Sequence, residues 1–124
     1  MAVGTVTIAE ERYGSVKKIG FTWTSGTDAE VGTASGTTTY SYNGEVIRLV
    51  TNPDGDDVPT AAYDMVVNDE DGNDVLMGAG ADRSATDTEQ VLATSLGCVA
   101  NDKLALSITN AGAAKRGIIY LYIR

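Results

Sequence analysis

The chain has 124 residues, of which 43% are hydrophobic and 21% charged, so it is long enough to bury one core and too apolar for wholesale disorder. Its formal net charge is −8, which repels nucleic-acid phosphates and anionic lipids, and we expect neither nucleic acid nor a membrane as a partner. It contains no histidine, which excludes Ser-His-Asp and Cys-His catalysis and imidazole-bound zinc.

Hydrophobic and polar residues alternate through most of the chain, as in half-buried β-strands. The alternating segments are, in chain order, TVTIA from Thr5, KKIGFTWT from Lys17, GEVIRLV from Gly44, YDMVV from Tyr63 and KLALSIT from Lys103. The last segment, GIIYLYIR from Gly117, is apolar on both faces, which is typical of a strand that is covered on each side by the fold or by a partner. We interpret Trp23 as a core residue, with an exposed binding aromatic as the alternative.

Segments rich in Gly, Asn, Asp and Pro separate these runs, as expected for turns. Short strands between such turns predict one all-β domain over residues 1–124, an antiparallel β-sandwich, jelly roll or barrel of about eight strands. The exception lies near residues 86–95. Thr86 and Glu89 have the spacing of a capping box, which predicts one short helix, although the Thr and Val residues there suit a strand equally well.

The segment VVNDEDGNDVL, residues 66–76, raises the question of a calcium site. Asp69, Asp71 and Asn73 have the alternating spacing of EF-hand ligands, but the glycine precedes the third ligand and a glycine occupies the position of the bidentate Glu. The segment is more typical of an Asp-Gly hairpin turn that joins YDMVV to DVLMG, with its acidic side chains in water. Weak incidental cation binding and a dedicated calcium site at these three residues stay open.

Recognisable catalytic and cofactor motifs are missing from the sequence. A pair of carboxylates in the manner of a glycosidase remains, but 17 acidic residues produce such pairs by chance. GAGADRSA, residues 78–85, lacks the spacing of dinucleotide-binding and phosphate-binding loops. We therefore predict that the protein is not an enzyme and binds no cofactor, with a small hydrolase as the alternative.

Four tyrosines are candidates for a contact surface. Tyr40 and Tyr42 lie two residues apart, as do Tyr120 and Tyr122 in the last strand, so each pair shares one face of an extended segment. Tyrosine supplies a large contact area at low entropic cost, which suits a subunit interface. The alternatives are cross-strand packing for the first pair and a central strand between two sheets for the second.

Cys98 is the only cysteine, so the chain forms no internal disulfide. Its neighbours Leu96 and Val99 predict a small buried residue. The N-terminal segment lacks the regions of a signal peptide, and no stretch approaches the roughly 18 apolar residues of a membrane span. We expect synthesis in a reducing cytoplasm.

Four blocks of sequence resemble a group of small proteins encoded in the structural gene clusters of tailed bacteriophages and prophages. The blocks are RYGSVKKIGFTWTS from Arg12, TTTYSYNGEVIRLVTNPDG from Thr37, AYDMVVNDEDGNDVL from Ala62 and NDKLALSITNAGAAKRGIIYLYIR from Asn101. The resemblance runs from about residue 12 to the end of the chain and rests on the order of the blocks and their turns. It implies a small all-β virion part, commonly a capsid decoration or cement protein and less often a head-tail connector or tail component.

Such a role implies a place on the capsid surface after synthesis in the host cytoplasm. The expected partners are the major capsid protein or other virion subunits, together with further copies in a homodimer or homotrimer. Under this hypothesis residues 1–12 form an N-terminal arm or edge strand that docks on a neighbour, with Val3, Val6 and Ile8 as contacts. A carbohydrate-binding or adhesive β-sandwich is the alternative function.

Overall fold

The computed structural model describes residues 3–124, which form nine β-strands and two short 3₁₀ turns. The strands are β1 (Thr5–Tyr13), β2 (Val16–Thr24), β3 (Ala34–Thr37), β4 (Tyr42–Pro53), β5 (Asp64–Asn68), β6 (Glu89–Leu92), β7 (Cys98–Asp102), β8 (Ala105–Thr109) and β9 (Arg116–Ile123). The 3₁₀ turns span Asp28–Glu30 and Ala93–Ser95. Within residues 3–124 no helix has the length and apolar character needed to cross a membrane.

The strands form a sandwich of two antiparallel sheets, which confirms the all-β prediction. The large sheet has the order β1-β2-β9-β4-β6, and β7 pairs with the beginning of β4. The small sheet has the order β3-β8-β5. The described residues form nine strands, close to the expected eight. β3, β6 and β7 lie outside the alternating segments, and β3 is built from small residues whose alternation is not visible in the sequence.

The hydrophobic core lies between the two sheets and follows the predicted alternation. Its large-sheet members include Ile19, Phe21, Trp23, Ile119, Leu121 and Ile123, and its small-sheet members include Met65, Val67, Leu106 and Ile108. Trp23 is completely buried, with its ring centroid 5.4 Å from that of Tyr63, so the core interpretation is confirmed. Full burial of a large apolar side chain contributes about 1.5–3 kcal/mol.

The short helix predicted near residues 86–95 is not formed. Ser84 Oγ accepts the N–H groups of Thr86 at 3.3 Å and Asp87 at 3.0 Å, which makes a tight turn. Glu89 Oε1 accepts the N–H of Ser84 at 2.7 Å, and Glu89 begins β6. The pairing of β6 with β4 supplies the backbone hydrogen bonds that the helix would have made.

The N-terminal segment is an edge strand of the large sheet. β1 pairs with β2 over nine residue pairs, so residues 5–12 are not a free arm. Val6 and Ile8 pack against the core, and a β-carbon added to Gly36 of β3 would lie 2.9 Å from Val6 Cβ. These two predicted docking residues are half-buried against the core, and docking of the edge strand on a neighbour stays a prediction. Val3 is 70% exposed, and the first two residues of the predicted arm lie outside the described residues.

Candidate functional site

The side of the large sheet that is turned away from the small sheet, here called the outer face, carries the two tyrosines of β9. Tyr120 and Tyr122 are half-buried and alternate with the buried Ile119, Leu121 and Ile123. The chain itself thus covers the last strand on one face only, and cover of the other face by a partner stays a prediction. The tyrosine side is open to solvent, because the small sheet packs only against the inner face.

Strand register arranges the outer face in three rows, since directly paired residues share a face. The first row is Lys18, Tyr122, Arg48 and Leu92, the second is Gly20, Tyr120, Val50 and Gln90, and the third is Thr22, Ile118 and Asn52. Each row crosses β2, β9 and β4 in that order, and the first two continue to β6. The tyrosines therefore lie in the middle of the face.

Two cations lie over the tyrosine rings. Lys18 Nζ is 4.7 Å from the ring centroid of Tyr120 and 5.9 Å from that of Tyr122. Arg48 Cζ is 5.1 Å from the ring centroid of Tyr122. A cation at this distance is attracted by the negative face of the ring, so both charged groups are held against the sheet.

The margin of the outer face combines a polar anchor with an exposed apolar side chain. Arg48 Nε and Nη2 donate to Gln90 Oε1 at 2.9 and 2.6 Å. Leu92, which is paired with Arg48, is 72% exposed. Gly20 leaves room for the Tyr120 ring, because a β-carbon there would lie 3.3 Å from a ring carbon.

A shallow cleft of about 330 Å³ continues the face beyond its third row. Arg116 lies in this cleft and pairs with Asp57 at 2.8 Å and with Asp54 at 3.5 Å. The N–H groups of Asp57 and Asp56, together with the more distant Arg116, lower the pKa of Asp54. A carboxyl with a lowered pKa stays ionised at neutral pH, which is the opposite of what a general acid needs.

The structure separates the first tyrosine pair, which the sequence placed on one face. Tyr40 is 51% exposed and stacks with the guanidinium of Arg12, whose Cζ is 4.6 Å from the ring centroid. Tyr42 is only 2% exposed, and its hydroxyl donates to Glu10 at 2.7 Å. Tyr42 is therefore a packing residue and lies in no contact surface of the isolated chain.

The acidic segment at residues 66–76 forms a turn, as predicted. The N–H of Gly72 donates to the Asp69 carbonyl at 3.1 Å, and Gly72 has a φ of 84°, which glycine adopts readily. Asp69 does not point freely into water, because its Oδ1 accepts the N–H groups of Asp71 at 3.0 Å and Asn73 at 2.9 Å.

The strand DVLMG, predicted to follow this turn, is not formed. Asp74 Oδ1 accepts the N–H groups of Val67 at 3.2 Å and Leu76 at 3.0 Å, and its Oδ2 accepts the N–H of Gly78 at 2.9 Å. Residues 75–80 are consecutive turns that bond to the backbone of β5. One carboxylate thus organises a segment that the alternation assigned to a strand.

Three carboxylates gather beside the acidic turn. Oxygen atoms of Asp69, Asp71 and Asp102 lie within 4.8 Å of one another. Asp102 ends β7, and the local spacing that suggested the first two ligands does not reach it. Calcium takes six to eight oxygen ligands. The calcium site stays a prediction, with Asp102 as a further ligand candidate beside the predicted Asn73.

The sequence interpretation missed both cations of the outer face. Neither Lys18 nor Arg48 is among the residues that the sequence analysis singles out. The alternation of β2 and β4 does contain a signal, since Lys18 and Arg48 are adjacent in sequence to the core residues Ile19 and Leu49 and therefore lie on the opposite face of their strands.

Cys98, predicted to be buried, is exposed.

No protein-family model and no curated protein matches the chain. One similar solved structure is FLHE, with a TM-score of 0.42 and 6% identity over 90% of this chain and 99% of that chain. Another is the low-affinity xylan-binding module CBM86 from Roseburia intestinalis, with a TM-score of 0.38 and 11% identity over 96% of this chain and 84% of that chain. A cupin-superfamily sugar phosphate isomerase from Silicibacter pomeroyi has a TM-score of 0.31 and 12% identity over 90% and 52% of the two chains. These likenesses are too weak to assign a function.

Proposed function

We propose that the chain is a non-enzymatic structural subunit of a phage virion, a capsid decoration or cement protein that contacts its neighbours through the outer face. The observation that carries the proposal is the open aromatic surface of the large sheet, where Tyr120 and Tyr122 are half-buried and Leu92 is 72% exposed. Aromatic residues and arginine are enriched at protein interfaces. The resemblance of four sequence blocks to phage structural proteins supports the same role.

The outer face has the rigidity that a repeated contact needs. Its central strands β2, β9 and β4 are hydrogen-bonded on both sides, and the cation–π contacts hold Lys18 and Arg48 in place. Side chains that are already ordered lose little conformational entropy on binding. Such a surface suits docking on many identical neighbours of a capsid.

The charge of the face favours a partner other than a second copy of the same face. An isologous dimer through the first row would bring two copies of Lys18 and Arg48 together, and like charges repel. We therefore propose the major capsid protein or another virion subunit as the partner of the outer face. A homodimer or homotrimer would use a different surface.

The copy number in purified virions tests the proposed role. Quantified gel bands that correspond to hundreds of copies in each particle would support a decoration protein at the capsid surface. About six or twelve copies, as in a cyclic ring, would instead place the chain in a connector or tail. Absence of the chain from the particles would contradict the proposal.

Binding to expanded capsids that lack the chain tests the proposed surface. We expect the double variant Tyr120→Ala, Tyr122→Ala to bind at least about tenfold more weakly, as for central aromatic residues of an interface. Tyr40→Ala is the matched control, because Tyr40 is 51% exposed and, like Tyr122, has an arginine over its ring, but lies outside the outer face. Equal losses in the two variants would contradict a role for the outer face.

A carbohydrate-binding module is the second candidate, because Tyr120, Tyr122 and the nearby Gln90 offer ring surfaces and hydrogen-bonding groups together. Two features weigh against it. Lys18 and Arg48 already lie over the rings, and the buried Trp23 has no surface on which a sugar could stack. Titration with neutral glycan oligomers, followed by tyrosine fluorescence, tests this candidate. Saturable binding that the double tyrosine variant loses would favour it over the virion role.

A further inference from the structure

We propose that Lys18 and Arg48 form a carboxylate-binding pair on the outer face and that the surface they recognise is an acidic segment of a partner protein. The inference rests on the proposed function and deepens it by naming the chemistry of the docking partner. It is carried by the positions of the two cations, by their lack of carboxylate partners and by the apolar side chains around them.

Both cations are held at the surface by contacts with aromatic rings and a neutral amide. Lys18 lies over two tyrosine rings, and Arg48 lies over the ring of Tyr122 and donates to the neutral Gln90. Long cationic side chains on an exposed surface usually extend into water, where they lose entropy when a partner binds. The ring contacts reduce that cost, because both charged groups are confined before binding.

Within the described residues neither cation forms an ion pair. Arg83 and Arg116, by contrast, do form ion pairs. Glu11 is paired with Lys18 in the strand register, but its carboxylate accepts the hydroxyl hydrogen of Tyr13. Two unpaired cations on one face of a chain with a net charge of −8 are a local exception to its acidic surface.

The geometry of Arg48 suits a carboxylate. Its Nε and Nη2 are engaged by Gln90, which leaves the remaining guanidinium donors for an oxygen ligand. Lys18 supplies a second positive group in the same row, on the other side of Tyr122. A carboxylate that approaches over Tyr122 would meet both cations.

The surroundings favour an acidic protein segment over a polyanion of another class. The net charge of −8 opposes the long phosphate backbone of a nucleic acid. An anionic polysaccharide would stack its sugars on ring faces that Lys18 and Arg48 already cover. Protein side chains would also use the apolar margin, where Leu92 is 72% exposed and Ile118 is half-buried.

Titration of the isotope-labelled chain with poly-L-glutamate, followed by NMR amide shifts, tests the inference. At about 0.1 M salt the Debye length is about 10 Å, which screens the repulsion from distant carboxylates. We expect saturable shifts confined to β2, β9, β4 and β6 around the first two rows. Lys18→Gln and Arg48→Gln should each weaken binding about fivefold.

Lys17→Gln is the matched control, because it removes the same charge from the adjacent residue. Lys17 pairs with Ile123 in the strand register and lies on the inner side of β2, away from the outer face. Tyr122→Phe should retain binding and Tyr122→Ala should weaken it, because the ring and not the hydroxyl holds the cations. The thermal melting temperature of each variant identifies any that unfold.

The inference would be overturned by equal affinity of the native chain and the variants Lys18→Gln and Arg48→Gln. Equal weakening by Lys17→Gln, or stronger binding of polygalacturonate than of poly-L-glutamate, would also overturn it. If capsid binding depends on the tyrosines while Lys18→Gln and Arg48→Gln leave it unchanged, the carboxylate inference fails and the proposed function stands. If the chain is absent from virions, the proposed function fails whatever the outcome of the titration.

Discussion

The hydroxyl of Tyr42 donates a hydrogen bond of 2.7 Å to Glu10 Oε1. The same carboxylate accepts the N–H groups of Thr39 at 2.9 Å and Tyr40 at 3.1 Å. Glu10 lies on the edge strand β1, whereas its donors lie between the end of β3 and the start of β4. One side chain thus joins the N-terminal strand to the segment that connects the two sheets. Burial raises the pKa of Tyr42, and the hydrogen bond to Glu10 raises it further by a smaller amount.

Glu10→Gln is expected to make stability less dependent on pH. Partial burial raises the pKa of Glu10, but the hydrogen bonds from Thr39, Tyr42 and Tyr40 outweigh it and lower the pKa below its usual value. The native carboxylate therefore stabilises the fold above its unfolded-state pKa, and this contribution is lost as the pH falls through the folded-state value. We expect Glu10→Gln to lower the free energy of unfolding by about 1 kcal/mol at neutral pH.

Urea unfolding at neutral pH and in acid below the lowered folded-state pKa of Glu10 measures this effect. The difference between the native chain and Glu10→Gln should vanish in acid, because the native carboxyl is then protonated. Glu11→Gln is the control, since Glu11 is exposed on the opposite side of β1, and it should change stability by less than about 0.5 kcal/mol. A loss for Glu10→Gln that persists in acid would contradict the prediction.

Gly117→Ala is expected to destabilise the core. A β-carbon at this position would lie 2.8–2.9 Å from three atoms of the Trp23 indole, which is completely buried and has no room to move aside. We expect the free energy of unfolding to fall by about 1–3 kcal/mol, as for other overpacked cores. Gly55→Ala is the control, because nothing lies within 4 Å of its added carbon. Denaturant unfolding should separate the two variants, and equal stability would contradict the packing of Trp23 on β9.

Ser84→Ala and Thr86→Ala distinguish the observed turn from the helix that the sequence suggested. Ser84 Oγ accepts two backbone N–H groups in the turn, so its removal should cost about 1 kcal/mol. Thr86 would be the cap of the helix, but no helix begins there, and Thr86→Ala should be neutral within about 0.5 kcal/mol. Thermal unfolding measures both. A larger loss for Thr86→Ala would favour the helix.

Asp74→Ala is expected to loosen the turns at residues 75–80. The carboxylate of Asp74 accepts three backbone N–H groups, and its loss should lower the free energy of unfolding by about 1–3 kcal/mol. Hydrogen exchange should show faster opening of residues 75–80 and of β5, to which they bond. Unchanged protection of these amides would argue against the role of Asp74.

Asp71→Ala, in contrast to Asp74→Ala, is expected to stabilise the chain in a buffer that contains EDTA. It removes one of three carboxylates whose oxygen atoms lie within 4.8 Å of one another, so it relieves like-charge repulsion and should raise the melting temperature slightly. The same melts with added calcium test the calcium prediction. A rise for the native chain that Asp71→Ala lacks would support a calcium site, and equal melts with calcium and EDTA would argue against it.

The strands and the direction of their buried faces were largely predictable. In β2, β8 and β9 the residues that alternate in the sequence are the residues that fill the core, including Trp23 and Leu106. This works because the period of two is a local property of extended backbone and needs no knowledge of neighbouring strands. The acidic turn was also predictable, because the preference of an Asp-Gly pair for a turn with glycine at positive φ is likewise a local property.

The sequence by itself determined that these segments are strands, and which of their side chains avoid water. Only the tertiary structure decided which strands are neighbours, and so brought Lys18, Tyr122 and Arg48 into one row across β2, β9 and β4. It also turned Tyr42 inward to meet Glu10 and left Tyr120 and Tyr122 on an open face. Lateral pairing joins residues far apart in the chain, and its energy depends on packing between whole strands, which no local pattern of residues records.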